Sequence, residues 1–175
     1  TDIIESISNA LTSTTTLLVI DHVTSSTAIV FPIKQIVQLC KEKGVLVLVD
    51  GAHAPGMLDL NVNELDADWY VGNFHKWVCA PLGAAFVWSN QNHRDQTRPM
   101  TISHFLEQGY TSEFEWQGTR DISAWLAVQD AIAWGVQIGW DVIRAHNHQL
   151  ATWMQLELTS KWGVEPLSPL DGRLL

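Results

Sequence analysis

The sequence is short of several things, and each shortage removes a class of function. Only two cysteines occur in 175 residues, Cys40 and Cys79; they can close at most one disulfide, and neither sits in a CxxC or similar metal-binding spacing. A disulfide framework is excluded, and a reducing, cytoplasmic setting is expected. Basic charge is scarce too: 10 Lys and Arg stand against 19 Asp and Glu, a formal net charge of -9, with no basic cluster longer than two residues. Nucleic acid is not an expected partner, because binding phosphates needs a concentrated basic face. Apolar runs such as Val45 to Val49 are too short to cross a bilayer, and the first residues lack the charged and apolar blocks of a signal peptide. No membrane partner is expected. Nor does a GxGxxG turn follow Val49, so a dinucleotide's diphosphate would have no cradle.

What is present suits a globular protein. With 46% hydrophobic residues, the chain can bury one sizeable core. Six of the nine tryptophans, Trp116, Trp125, Trp134, Trp140, Trp153 and Trp162, crowd the last third, where such side chains are expected as core or interface anchors. The sequence opens inside an apparent helix and stops after a proline-containing connection. It therefore reads as a segment of a longer protein.

Thr16 to Ile20 is an apolar, β-branched-rich run, predicted as a buried strand. Pro32 opens a helix in which Ile33, Ile36, Val37 and Cys40 recur at helical spacing, and Gly44 closes it. Val45 to Val49 is the next strand and delivers Asp50 at its end. Strand, helix, strand in this order predicts a βαβ unit with parallel strands covered on both faces. A short segment near Val62 to Leu65, a third strand near Asp68 to Val71 and a fourth over Ala84 to Trp88 follow. The connection after Lys76 is too short for a crossover helix, so the fourth strand is expected to run antiparallel. The stretch from Asn90 to Gln117 reads as irregular; helical spacing resumes at Ser123 and again over Trp140 to Lys161. The fold class expected is α/β, a three-layer, mostly parallel sheet with helices on both faces.

Parallel topology places polar residues from successive strands on one edge: His22, then Asp50 with His53, then Asn73, His75 and Lys76. Ligands bind at that edge in open α/β sheets. A lone strand-end lysine is usually solvated, and a lone Asp is usually a turn former; their convergence is the informative feature. An amine and a carboxylate presented together suit pyridoxal phosphate (PLP), which needs a lysine for its aldehyde and an anion for its ring nitrogen. A metal hydrolase is a rival reading, since Asp50, His53, His75 and His22 offer nitrogen and oxygen ligands, but it gives Lys76 no role. No metal is assigned. Cys79 is expected to be a small buried hydrophobe, and Arg120 and Asp121 to pair with each other or to cap the helix near Ser123.

Four segments carry a family resemblance: Asp21-His22-Val23-Thr24-Ser25, Val49-Asp50-Gly51-Ala52-His53-Ala54-Pro55-Gly56, Gly72-Asn73-Phe74-His75-Lys76-Trp77 and Trp116-Gln117-Gly118-Thr119-Arg120-Asp121. Together they resemble the class V aminotransferases among fold type I PLP enzymes, most of all the isopenicillin N epimerase-like proteins. The resemblance implies that Asp50 pairs with the pyridinium nitrogen and that Lys76 forms the Schiff base and moves protons at the substrate's α-carbon. It implies that His53 lies near the cofactor, and that His22 stands where many relatives have an Asn beside the phenolic oxygen. Asn73 and His75 match phosphate-binding positions, and Thr119 matches a Gly-Thr motif that reaches the neighbouring subunit's cofactor in family dimers. The resemblance thus implies PLP as cofactor, an amino acid as substrate and a homodimer. Residues 1–140 would form part of the PLP-binding large domain, and 141–175 a linking helix and the start of a small C-terminal domain. Epimerisation is the reaction it favours; desulfurase or lyase chemistry, transamination and a non-catalytic, truncated family member are the alternatives. Desulfurases need a mobile nucleophilic cysteine, and none is evident.

Overall fold

A computed structural model of the chain describes residues 3–175. Helix α1 (Ile3–Ala10) leads into strand β1 (Leu17–Asp21); α2 (Ile33–Glu42) returns the chain to β2 (Leu46–Gly51). After the short α3 (Val62–Leu65) come β3 (Trp69–Asn73) and β4 (Ala85–Ser89). The four strands form one sheet in the order β1-β2-β3-β4, with β1, β2 and β3 parallel and β4 antiparallel to β3. The α/β class, the βαβ unit and the antiparallel last strand are as expected.

The alternation along the strands explains where the core lies. Val47 and Val49 of β2 and Tyr70 of β3 point to one face and are fully buried, as are Ile36 and Cys40 of α2, which covers them. Ile3, Ile4 and Ile7 of α1 pack against the same cluster. Gly44, in the left-handed conformation at φ 68°, ends α2 and turns the chain into β2. Buried Asp68 locks the start of β3: it accepts the Val47 amide at 2.7 Å and faces His93 Nε2 at 2.7 Å. The opposite sheet face is more open, with Leu17 44%, Val19 62% and Leu46 37% exposed.

Two aromatic rings on the covered face lie over glycines. An ideal Cβ on Gly51 would sit 2.1 Å from the Tyr70 ring, and one on Gly72 2.4 Å from Phe86. Gly51 and Gly72 are register partners, and the Tyr70 and Phe86 rings stack with centroids 6.3 Å apart. The small residues at the sheet's carboxyl edge are thus the space that its largest core rings occupy.

The stretch 90–117 is more ordered than its sequence suggests. A 3₁₀ turn spans Gln91–Gln96 and α4 spans Tyr110–Glu115, with buried Glu113 ion-paired to Arg98. The helical pattern from Ser123 breaks into α5 (Ser123–Leu126) and α6 (Val128–Ile138), and α7 runs Trp140–Trp162. Trp116, Trp125, Trp134, Trp153 and Trp162 are exposed rather than core, whereas Trp140 packs against Gly135. Cys79 also differs from expectation: it is exposed, with a left-handed backbone at φ 63°, because it lies in the turn after Lys76. Asp121 accepts the Ser123 amide at 2.8 Å one residue ahead of the N-cap Ile122 of α5, while Arg120 bonds Gln117 and stacks over Trp125. Among the described residues, no helix is long and apolar enough to cross a membrane.

Candidate active site

The parallel register sets Asp21 opposite Asp50, and Asp50 opposite Val71, at the carboxyl edge of the sheet. The loops leaving β2 and β3 there carry His53 and Lys76. Their approach depends on Gly56. Its φ is 84°, and a Cβ there would lie 2.7 Å from the Trp77 backbone, so the two loops meet chain to chain.

The meeting brings Lys76 Nζ within 2.9 Å of His53 Nε2. Burial, and then the charge of Lys76, lower the pKa of His53 below its ordinary value, against a smaller opposing pull from Asp50 and Asp21. This favours a neutral His53 whose Nε2 accepts a hydrogen bond from the Lys76 amine. The same balance places Lys76, Asp50 and Asp21 within electrostatic reach of one imidazole. Asp50 has its own local anchor: one carboxylate oxygen accepts the Ala52 amide at 2.9 Å.

His22 follows β1 directly and is 8% exposed. Its amide donates to the Asp50 carbonyl at 2.7 Å, which ties it to the same edge. Its Nδ1 lies 2.9 Å from the Tyr70 hydroxyl, and burial lowers its pKa to about 4. Asn73 ends β3, in register with Ala85. His75 Nδ1 donates to the Ala84 carbonyl at 3.0 Å. With that proton committed, His75 can offer a phosphate a donor at Nε2 only as an imidazolium.

The structure thus gathers His22, Asp50, His53, Asn73, His75 and Lys76 on one edge. Thr119 stands apart: it is exposed beside Gly118, between α4 and α5, and has no hydrogen bond among the described residues. Sequence reasoning missed Tyr70, Gly51 and Gly56. The signal for Gly51 and Gly56 was the pair of glycines bracketing the Asp50 to His53 segment; Tyr70 carried none beyond its place in a strand. Among the described residues, no group of three or more His, Cys, Asp or Glu side chains is placed to hold a metal ion. The metal-hydrolase reading lacks its ligand set, because His22 turns to Tyr70 and His75 to Ala84.

Comparison with known proteins identifies the family. Residues 2–171 match the Aminotransferase class-V family. Isopenicillin N epimerase of Amycolatopsis lactamdurans is 32% identical over 183 residues, an alignment covering 96% of this chain and 46% of that protein. L-cysteine desulfhydrase of Arabidopsis thaliana is 36% identical over 160 residues, covering 89% of this chain and 35% of that protein. Among solved structures, pyridoxamine-pyruvate aminotransferase from Mesorhizobium loti shares the fold with a TM-score of 0.75 at 17% identity, over 90% of this chain and 43% of that one. The chain spans less than half the length of these relatives. A strand-tip acid and a loop lysine are what a PLP ring nitrogen and aldehyde require, and this chain belongs to the class-V aminotransferase family of PLP-dependent enzymes.

Proposed function

We propose that this chain forms the cofactor-holding part of a PLP-dependent enzyme that removes and returns the α-proton of an amino acid, with epimerase-like chemistry. The observation that carries the proposal is the 2.9 Å contact between Lys76 Nζ and His53 Nε2 beside the Asp50 strand tip. Bound there, PLP supplies an electron sink that acidifies the substrate's α-carbon.

The protein's own groups do the rest. Lys76 would hold the cofactor at its aldehyde carbon and, with its amine free, would carry a proton to and from the substrate's α-carbon. His53, kept neutral, accepts a hydrogen bond from Lys76 Nζ and so orients the amine at the strand edge. Asp50 keeps its negative end at the ring nitrogen because the Ala52 amide fixes one of its oxygens. His22 serves the ring's phenolic oxygen, and Asn73 and His75 serve the phosphate. Thr119 completes the phosphate site from the other subunit of a homodimer, which accords with its exposure. In this reading residues 1–140 belong to the large domain, 141–175 lead into a smaller one, and the protein works in the cytoplasm.

Loss of the α-proton is common to epimerisation, transamination and elimination, so the test must follow what comes after it. The full-length protein, loaded with PLP, is incubated with candidate amino acids in heavy water. Deuterium at the α-carbon together with racemisation, and neither keto acid nor sulfide, is the expected result. Sulfide from L-cysteine would replace the epimerase by a desulfhydrase, and keto acid would replace it by an aminotransferase.

A further inference from the structure

We infer that Tyr70 is a positioning residue: reaching beneath Gly51, its hydroxyl donates to His22 Nδ1 and so holds the His22 proton on Nε2, as a fixed donor to an anionic oxygen at the strand edge. The inference rests on the proposed PLP site only for the identity of that oxygen, the ring phenolate. The placement of the proton follows from the chain itself.

Three observations carry it. First, the route exists only because Gly51 has no side chain. Tyr70 springs from β3, crosses under the β2 position where a Cβ would fall 2.1 Å from its ring, and meets His22 beyond the end of β1. The rings meet edge to face, with centroids 5.9 Å apart, and the oxygen lies 2.9 Å from Nδ1. Second, the direction of the bond is determined. Among the described residues, His22 is the one hydrogen-bond partner of the Tyr70 hydroxyl. If Nδ1 were the donor, the phenolic proton would be left in the core without an acceptor, at a cost of about 1–3 kcal/mol. Burial and then the charge of Asp50 raise the pKa of the phenol well above its ordinary value, so it keeps the proton it donates. Third, the other nitrogen is available. Among the described residues His22 Nε2 has no hydrogen-bond partner, and it keeps contact with solvent, His22 as a whole being 8% exposed. On an imidazole ring Nε2 faces away from Nδ1, hence away from Tyr70.

A neutral imidazole with an unset tautomer would present a lone pair to an anion in part of its population. Tyr70 removes that alternative, as an outer partner does for a metal-bound histidine by engaging its second nitrogen. Tyr70 itself touches no reacting atom in this account.

The test begins without cofactor. Two-bond proton–nitrogen NMR correlation of the full-length protein is expected to show His22 as a single tautomer protonated on Nε2, and Tyr70→Phe, which keeps the ring, to show both tautomers. A wild-type His22 protonated on Nδ1, or an unchanged pattern in Y70F, overturns the inference. Should Y70F fail to fold, the wild-type tautomer alone decides it. The second arm measures PLP retention. Y70F is expected to release PLP on the order of tenfold more readily, and this difference is expected to vanish in the His22→Asn background, whose amide donor needs no tautomer. An equal tenfold loss in that background would mean that Tyr70 acts by packing and would overturn the inference. If the protein takes up no PLP at all, the proposed function fails, while the NMR result still decides the role of Tyr70.

Discussion

Residues 17–89 and residues 90–175 are built on different terms. The first region buries Val23, Ile33, Ile36, Val37, Cys40, Val45, Val47, Val49 and Tyr70 in one cluster and places every gathered site residue along its carboxyl edge. The second has long helices but almost no interior. α7 has no buried residue, and Trp134, Trp153 and Trp162 are 48%, 53% and 67% exposed. The site is rigid because its elements share a core. The helices after residue 90 keep their apolar surface available, the kind of surface that marks an interface.

The sharpest way to break this comparison is to remove one large apolar side chain from each region. Ile36→Ala empties a fully buried position and is expected to cost about 4 kcal/mol, whereas Trp162→Ala should cost less than about 0.5 kcal/mol. Urea unfolding of both variants checks the pair; equal losses would show that the second region has a core of its own. Gly51→Ala comes next, at about 3 kcal/mol in the same measurement, because its Cβ must displace the Tyr70 ring. A lossless substitution would mean that Tyr70 does not lie under β2.

Acid sharpens the comparison further. His22 titrates at about 4 when folded and near its ordinary 6.5 when unfolded, so the unfolded chain binds the extra proton between those values. Stability is complete above pH ~6.5 and falls as the pH drops towards ~4, by about 3 kcal/mol, with no further loss from this group below that. His53, also lowered, acts in the same direction. Stability measured against pH should flatten in His22→Asn; an unchanged slope would assign the acid sensitivity elsewhere.

Much of the first region was legible in its sequence because period and punctuation agreed there. Val45 to Val49 is continuous and apolar, Pro32 and Gly44 bracket a helix with one apolar stripe, and seven residues after Lys76 leave room only for an antiparallel return. Strand tips followed from topology, which is why Asp50, His53 and Lys76 could be grouped before any coordinates. What the sequence concealed was tertiary. Tyr70 reads as an ordinary strand residue, and its partnership with His22 exists only once β2 lies between them with a glycine at the crossing point. Cys79 looked like core because cysteine usually is, but the tight turn after Lys76 forces it outward. The tryptophans of the last third were expected as core or interface anchors, and among the described residues no second layer covers five of them.

The central claim is that Lys76 is the residue that takes the cofactor. PLP is added to the full-length protein, the adduct is reduced with borohydride, and the digested peptides are mapped. The account predicts a phosphopyridoxyl label on Lys76, lost in Lys76→Ala. A label on another lysine, or none on a protein that is folded and saturated with PLP, would contradict it.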